Sequence, residues 1–324
     1  MIKVYPVILA AGKGTRMNNG NPSPIPKVLF ALGGKPIVSY ILNTLSHLSF
    51  GIRSSSLEKS LVIGHSAQKL KTKDQTNIDQ LQTKNQGPNG LRVSKPLLVV
   101  GYKAAEVKKE FGSRVSYVEQ TKRLGTGHAA KLAIEKVNIG YEKLTTVNNS
   151  YDMLQKNATV INRLQPLLTD VNLILIMMGD DSAFYEAETL KTFIENHIKE
   201  KAVLSFLTTK IPGVQDLGRV IRNKSGNLID IVEKENLTEK QKKIDEINCA
   251  CYLAELSWLA KTIKQVKKHL KGGKEYPLPD IIKIALKNGE KVIAYEIPNG
   301  EFVGINSRDQ LEYAESKLKV KRQK

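Results

Sequence analysis

A turn of small residues near the start of the chain carries the residue types best suited to binding an anion. The apolar run at 4–9 predicts a strand, and it leads into residues 10–12 (AAG), where a ligand can approach the backbone closely. Successive backbone N–H groups after a strand bind anions, and Lys13, Arg16 and Lys27 add positive charge around them. Phosphate groups fit such a turn. Its glycine spacing matches neither the Walker loop nor the dinucleotide-binding pattern, so its phosphate geometry must differ from both.

Short motifs follow one another along the chain, and together they carry a family resemblance. They are GKGTRM at 12–17, PKVL at 26–29, QTKRLGTGHAA at 120–130, MGDD at 178–181, GRV at 218–220, IVE at 231–233, EIN at 246–248 and GIN at 304–306. In type and order they resemble the sugar-phosphate nucleotidyltransferases over nearly the whole chain. The block at 120–130 is similar to the block on the uracil side of the nucleotide in bacterial N-acetylglucosamine-1-phosphate uridylyltransferases.

The resemblance implies a group-transfer reaction and assigns residues to it. A uridylyl group would pass from UTP to a sugar 1-phosphate, with N-acetylglucosamine 1-phosphate as the first choice, and pyrophosphate would leave. Arg16 and Lys27 would be the catalytic cations that hold the triphosphate and the incoming phosphate, while Asp180 and Asn306 would bind the cofactor Mg²⁺. The resemblance also implies nucleotide contacts at Leu9, Ala10, Ala11, Gly12, Gly14, Thr15, Gln120, Gly125 and Thr126, and sugar contacts at Gly218, Glu233 and Asn248.

Physical chemistry supports some of these roles and leaves alternatives open. The apolar run at 173–178 places Asp180 at the carboxyl end of a strand, where open α/β sheets bind ligands and where Mg²⁺ would find a hard oxygen. Asp180 and Asn306 could instead cap the helices that follow them. Asp181 is predicted to make no direct contact with the ligand or the metal. The attacking phosphate is already ionised at neutral pH and needs no base, so His128 is predicted to be structural.

The segments that would face the sugar depart from the family pattern. The usual Asn-Thr-Gly is Asn-Cys-Ala at 248–250, and Pro-Leu-Pro-Asp at 277–280 replaces the usual Tyr-x-Thr-Asp. Each lost hydrogen-bonding group can weaken binding by about 1 kcal/mol or shift the preference, so the acceptor sugar stays open. Two alternatives follow: a glucose-1-phosphate uridylyl- or thymidylyltransferase, and a non-catalytic relative of these enzymes that binds a sugar nucleotide or a protein partner.

Composition and charge agree with a globular α/β protein. The chain has 324 residues, 41% of them hydrophobic and 25% charged, which is enough for one large domain. Its formal net charge of +18 comes from lysines spread along the chain, which favours a charged surface over a nucleic-acid interface. No apolar run can cross a bilayer and the chain begins with a core strand, which predicts a cytoplasmic protein without a membrane partner. Cys249 and Cys251 are predicted to be buried apolar residues, not a disulfide.

Alternating strand and helix patterns predict the fold class, an α/β Rossmann-like, mostly parallel sheet with helices on both faces. The resembled family implies a nucleotidyltransferase of the GT-A-like type with a small β subregion on the sugar side, where a hairpin is predicted over 220–233. Strands are predicted at 4–9, 96–101, 115–119, 173–178 and 203–207, and helices at 36–48, 104–111, 127–137, 186–198, 256–270 and 279–288.

The predicted domain organisation is one nucleotidyltransferase domain over 1–307, followed by a helix and basic tail over 308–324. Insertions are predicted at about 52–95 and 137–169. Of two similar patterns, LVIGH at 61–65 and LVVGY at 98–102, the second is predicted to form the core strand, because it leads into the strand at 115–119. No hexapeptide repeat is present, so neither acetyl transfer nor a trimer held by a β-helix is expected, and the oligomeric state is left open.

Overall fold

The computed structural model describes residues 2–18, 20–49, 91–149, 171–213, 217–269 and 275–323. Within these ranges the strands are β1 (Ile2–Ala10), β2 (Ala31–Leu32), β3 (Lys35–Pro36), β4 (Leu91–Val93), β5 (Leu97–Val100), β6 (Ser116–Glu119), β7 (Val171–Met178), β8 (Leu204–Lys210), β9 (Arg219–Arg222), β10 (Leu228–Val232), β11 (Glu246–Glu255) and β12 (Val292–Glu296). The helices are α1 (Ile37–Ser49), α2 (Ala104–Phe111), α3 (Thr126–Asn149), α4 (Ala187–Lys199), α5 (Leu256–Thr262), α6 (Asp280–Lys287) and α7 (Arg308–Gln323).

Strand β1 lies at the centre of the large sheet. It pairs in parallel with β5, where Leu9 is opposite Val99, and with β7, where Leu9 is opposite Met178. These strands are largely buried apolar runs, as expected for parallel strands covered by helices on both faces. β6 extends the parallel part beyond β5. The chain passes from β1 to β5 on one side and returns to β7 on the other, and ligands bind at such a switch point, beyond the carboxyl ends of the strands.

Apolar cores cover both faces of the sheet. One core contains α1, α2 and α4, with Phe193 fully buried, and the other contains α3, α5 and α6, with Leu259 and Ile282 fully buried. Burial of each such side chain contributes roughly 1.5–3 kcal/mol. A smaller cluster packs α7 onto the domain through Ala314 and Leu318. The predicted α/β sheet with helices on both faces is confirmed.

Beyond β7 the sheet becomes mixed. β11 is antiparallel to β7 and to β8, and β8 pairs in parallel with β12. The predicted hairpin over 220–233 is present as the antiparallel pair β9 and β10. In its turn, the side-chain oxygen of Asn223 accepts the N–H groups of Ser225 and Asn227, as asparagine does in tight turns. The parallel core therefore carries an antiparallel extension on one side.

The predicted elements need corrections, and β2, β3, β4 and β11 are absent from the predicted strands. The helix predicted over 256–270 ends at Thr262, where the 3-10 turn Ile263–Gln265 begins and leads to an extended Val266 with a ψ of 119°. Strand β12 was missed although its first four residues are apolar; in the fold these four are partly buried and Glu296 is exposed. Helix α3 runs on to Asn149, into the second predicted insertion.

Parts of both predicted insertions lie outside the described residues. These parts are residues 52–90, which include the pattern at 61–65, and residues 150–169. The choice of the second pattern is confirmed, since β5 pairs with β1 at the centre of the sheet.

Two further predictions can be compared with the fold. Cys249 and Cys251 are at most 1% exposed and are not joined in a disulfide, as predicted. Among the helices in the described ranges, none combines the length and the apolar character that crossing a bilayer requires.

His197 on α4 should make the folded state sensitive to acid. The residue is 2% exposed, its Nδ1 lies 2.8 Å from Ser205 Oγ, and its Nε2 has no partner among the described residues. Burial lowers the pKa of His197 from 6.5 to about 4, so the folded state favours the neutral ring. Above pH 6.5 the ring is neutral in both states and the free energy of unfolding is unaffected. As the pH falls towards 4, the free energy of unfolding decreases by about 3 kcal/mol in total.

Urea unfolding at pH 7 and at pH 4.5 measures this effect. Because a leucine cannot be protonated, His197→Leu should lose about 2–3 kcal/mol less stability on acidification than the unaltered protein. The exposed His47 provides the control, and His47→Leu should behave like the unaltered protein. An equal loss of stability in all three proteins would contradict the role given to His197.

Candidate active site

The predicted anion-binding turn follows β1 directly. Gly14 takes a left-handed φ of +65°, and a Cβ at this position would stand 3.3 Å from the Cβ of Lys27. The missing side chain thus lets the turn pack closely against Lys27. Residues Thr15–Asn18 form a 3-10 turn that buries Met17 and leaves Arg16 exposed. The turn therefore leaves Arg16 exposed at the surface and packs against Lys27.

Four predicted site residues converge at the carboxyl edge of the sheet. Lys27 Nζ contacts Asp180 Oδ2 and donates to Asn306 Oδ1 at 2.7 Å. Arg16 Nη2 donates to the same Asn306 oxygen at 2.5 Å. Asp180 follows β7 and Asn306 precedes α7, so three distant segments meet here. The cluster combines cations for an anionic ligand with oxygen atoms suited to a hard metal ion.

Neither Asp180 nor Asn306 caps a helix with its side chain. The cap of α7 is Ser307, whose Oγ accepts the N–H of Gln310 at 3.2 Å. Helix α4 begins after Glu186, while the Asp180 carboxylate contacts Lys27 instead. The capping alternative raised for both residues is therefore wrong, and their side-chain oxygens face the cations of the site.

Asp181 is more deeply enclosed than the sequence suggested. Its Oδ1 is out of contact with solvent and has no hydrogen-bond partner among the described residues. Burial and then the charge of Asp180 raise the pKa of Asp181 from 3.8 to about 7, while Lys27 and Arg16 lower it. Asp181 lines a cavity of about 510 Å³ together with Arg16 and Asn306. The residue therefore borders the cationic cluster, which a prediction from local pattern could not establish.

A second cavity, of about 310 Å³, opens beside the cluster and is called the nucleotide cavity below. Its walls include most of the predicted nucleotide contacts, together with two residues of the cluster: Leu9, Ala10, Ala11, Gly12, Gln120, Gly125, Thr126, Lys27 and Asp180. The predicted contacts Gly14 and Thr15 lie in the turn, outside these walls. Lys13 and Arg123 add positive charge to the walls. The fold thus brings segments that follow β1, β6 and β7 to one place.

Gln120, which follows β6, is held in place by Gly125 of the same loop and by His128 in the first turn of α3. Its Nε2 donates to the C=O of Gly125 at 3.0 Å and lies 3.0 Å from His128 Nδ1. Burial, and then the charge of Lys131, lower the pKa of His128, which favours a neutral ring that accepts the Gln120 N–H. His128 lines a different cavity, next to Lys131. This arrangement agrees with the structural role predicted for His128.

A segment that the sequence analysis did not assign to the nucleotide holds the glycine loop at 124–127. The N–H of Gly127 donates to the C=O of Tyr276 at 2.7 Å. A Cβ on Gly125 or Gly127 would stand 2.8 Å from the same carbonyl oxygen, so both positions require glycine. This contact brings Glu275 into the wall of the nucleotide cavity. No local signal could have found Glu275, because its position depends on a contact with a loop far away in the chain.

The three predicted sugar contacts lie together on the antiparallel extension. A Cβ on Gly218 would stand 3.4 Å from Glu233 Oε2, so these two residues are neighbours. Asn248 Nδ2 donates to the Tyr252 hydroxyl at 2.7 Å, which orients the amide. Burial raises the pKa of Glu233. Ala250, which stands where the family pattern has glycine, takes a left-handed φ of +52° beside an irregularity in β11.

The fold and the site define a class of protein in which a mostly parallel α/β sheet carries a cationic, glycine-rich turn at its switch point. No family model matches the chain. The chain is 32% identical over 320 residues to the bifunctional protein GlmU of Bacillus licheniformis, a match that covers 98% of this chain and 53% of the relative. It is 29% identical over 309 residues to the bifunctional protein GlmU of Thermoanaerobacter pseudethanolicus, covering 95% and 50% respectively.

A solved structure gives the same fold. It is a protein from Bacillus anthracis named as a glucose-1-phosphate thymidylyltransferase, in complex with a sucrose. The TM-score is 0.58 at 16% identity, and the match covers 97% of this chain and 94% of that chain.

The family resemblance that the motifs predicted, to the sugar-phosphate nucleotidyltransferases, is confirmed by these relatives. It spans about half the length of the curated relatives it matches. The likeness to the solved structure, at 16% identity, supports the fold alone. The reaction and the substrates of this chain are therefore proposals.

Proposed function

We propose that this protein transfers a uridylyl group from UTP to N-acetylglucosamine 1-phosphate and releases pyrophosphate. The observation that carries the proposal is the meeting of Lys27, Arg16, Asp180 and Asn306, of which Lys27 and Asp180 line the nucleotide cavity. The motif at 120–130 contributes Gln120, Gly125 and Thr126 to that cavity, and its resemblance to uridylyltransferases supports uracil as the base. The group of Gly218, Glu233 and Asn248 offers hydrogen bonds to a sugar.

In the proposed reaction, an oxygen of the sugar phosphate attacks the α-phosphorus of UTP. A bond forms between them as the bond from the α-phosphorus to the bridging oxygen breaks, and pyrophosphate leaves with the bonding electrons. The attacking oxygen is already ionised, so no proton has to move. Catalysis then depends on positioning and electrostatics. Lys27 and Arg16 stabilise the negative charge that grows on the phosphate oxygens, and the backbone N–H groups after β1 orient the triphosphate.

The residues present fit a divalent cation. The Asp180 and Asn306 side-chain oxygens both contact the Lys27 ammonium, so they face one position suited to a positive ion. The described residues hold no group of three or more His, Cys, Asp or Glu that could bind a metal alone. This pattern suits Mg²⁺, which is usually held by one or two carboxylates together with substrate phosphates. Bound by Asp180 and Asn306, Mg²⁺ would neutralise phosphate charge and polarise the phosphoryl oxygens.

Pyrophosphate release by the purified protein tests the proposal. With Mg²⁺ and UTP, release is expected when N-acetylglucosamine 1-phosphate is present and not when the sugar is omitted. Parallel reactions with glucose 1-phosphate and with dTTP test the neighbouring activities. Release only in those reactions would replace the proposed substrates, and no release with any pair would favour a non-catalytic binding protein.

Gly218→Ala should impair the sugar side of the reaction selectively. The added Cβ would stand 2.9 Å from the C=O of Val232 and 3.4 Å from Glu233 Oε2, so the Glu233 carboxylate or the backbone must shift. If Glu233 binds the sugar, the KM for the sugar phosphate rises about tenfold, equivalent to about 1.4 kcal/mol, and the KM for UTP stays unchanged. Steady-state kinetics with each substrate varied measure both constants.

A second glycine supplies the control for this variant. A Cβ on Gly300 would meet only the flexible end of Lys317, at 3.6 Å, so Gly300→Ala should leave both KM values unchanged. Equal increases in the two KM values of Gly218→Ala would place Gly218 outside the sugar site.

The domain boundaries and the location of the protein stay predictions. We infer one nucleotidyltransferase domain over 1–307, to which α7 adds a packed helix through Ala314 and Leu318. A cytoplasmic enzyme is expected because UTP and sugar phosphates would be its substrates.

A further inference from the structure

The ammonium group of Lys27 lies where the two candidate metal ligands converge. It contacts Asp180 Oδ2 and donates to Asn306 Oδ1 at 2.7 Å. Arg16 donates to the same Asn306 oxygen at 2.5 Å. One oxygen of each candidate metal ligand, Asp180 Oδ2 and Asn306 Oδ1, is therefore already bound by a cation of the protein itself.

Packing as well as charge holds Lys27 in this position. The residue is 8% exposed, and its side chain and that of Asp180 are 10% and 22% exposed. Gly14 packs against its Cβ, and its backbone lies in a 3-10 turn in which the Lys27 C=O accepts the N–H of Phe30 at 3.1 Å. Because the Lys27 side chain has little contact with water, its ammonium needs another anionic partner when it leaves Asp180.

A divalent cation held by Asp180 and Asn306 would lie next to that ammonium. Like charges repel strongly in a site that contains little water. A nucleoside triphosphate changes this balance, because its anionic oxygens bind Lys27 and Arg16 through charge-assisted hydrogen bonds. The phosphates would also complete the oxygen shell that Mg²⁺ prefers.

We propose that the Lys27 ammonium and the divalent metal exclude each other in the ligand-free protein, and that the triphosphate exchanges them. The phosphates draw Lys27 away from Asp180, and Asp180 and Asn306 then accept the metal. This inference rests on the proposed function, because it takes the triphosphate as the ligand. Lys27 thus makes metal binding depend on the nucleotide, in addition to its role in catalysis.

Binding of Mn²⁺ in the absence of nucleotide tests the exchange directly. The electron paramagnetic resonance signal of free Mn²⁺ falls as the ion binds, which gives a dissociation constant without any reaction. The unaltered protein should bind Mn²⁺ weakly. Lys27→Met keeps the length and apolar stem of the side chain but removes the charge, and it should lower the dissociation constant by about tenfold or more.

Two further variants locate the effect. Adding Asp180→Asn to Lys27→Met should abolish the gain, since the gained site uses the Asp180 carboxylate. Lys13 lies in the same turn and lines the nucleotide cavity, so Lys13→Met removes one nearby charge without releasing Asp180 or Asn306. This variant should bind Mn²⁺ as the unaltered protein does. An equal gain in Lys13→Met would show general electrostatic attraction and overturn the exchange.

The outcomes separate this inference from the proposed function. Equal Mn²⁺ affinity of Lys27→Met and of the unaltered protein, with both folded by circular dichroism, would overturn the exchange. Lys27→Gln serves as a second neutral variant if Lys27→Met does not fold. If the unaltered protein turns over UTP while neither variant gains affinity, only the exchange fails. If the variants gain affinity but no turnover is found with any substrate pair, only the proposed function fails.

Discussion

Lys27→Ala is expected to lower turnover about a hundredfold or more, because it removes a positive charge aimed at the reacting phosphates. Lys27 contacts Asp180 and Asn306 at the edge of the nucleotide cavity and is 8% exposed, so bulk water cannot take its place readily. The fold should survive the change. The Asp180 side chain is 22% exposed, so its carboxylate can be hydrated once its partner is gone.

Steady-state pyrophosphate release with saturating substrates measures this effect, and thermal unfolding shows whether the variant is folded. Lys35→Ala is a matched control, because Lys35 is an exposed lysine on β3. It should keep the turnover of the unaltered protein. Near-normal turnover of a folded Lys27→Ala protein would remove Lys27 from the active site.

Asp180→Asn is expected to raise the Mg²⁺ concentration needed for half-maximal activity by about tenfold or more and to lower turnover as well. Asparagine keeps the size of the side chain and one oxygen, but it loses the negative charge that attracts the metal. The same substitution removes the ion pair with Lys27, so the ammonium is no longer held between Asp180 and Asn306. Because the substitution acts on the metal site, the Mg²⁺ concentration for half-maximal activity should increase by a larger factor than the KM for the sugar phosphate.

A Mg²⁺ titration at fixed substrate concentrations measures this requirement. Asp309→Asn supplies the control, since Asp309 is an exposed acid in the first turn of α7. The same change of charge at Asp309 should leave the titration unaltered. An unchanged titration for Asp180→Asn would exclude its carboxylate as a metal ligand.

The central fold could be predicted from local patterns. Strands β1, β5 and β7 are continuous apolar runs, which is typical of parallel strands buried on both faces, and each was predicted to within a few residues. Strand β12 was not predicted, although it too begins with an apolar run; that run has only four residues, which are partly buried in the fold. The end of α5 was missed for another reason. The chain passes into the 3-10 turn Ile263–Gln265 and then to an extended Val266, although helix-forming residue types continue beyond that point.

Residue types and motif order were enough to predict which residues bind phosphate and metal. A small-residue turn after an apolar strand, with Arg16 and Lys27 beside it, predicts phosphate binding from residue types alone. The order of the motifs was sufficient to propose Asp180 and Asn306 as metal ligands and to predict the family resemblance that the relatives confirm.

The contacts between these site residues depend on the tertiary structure. Lys27 lies between Asp180 and Asn306, which are 153 and 279 positions away along the chain, and the raised pKa of Asp181 comes first from burial among distant segments. The physical reason is that long-range contact and burial depend on which strand ends share one edge of the sheet. Local residue patterns specify each strand. The assembled sheet determines which side chains lie next to the Lys27 ammonium.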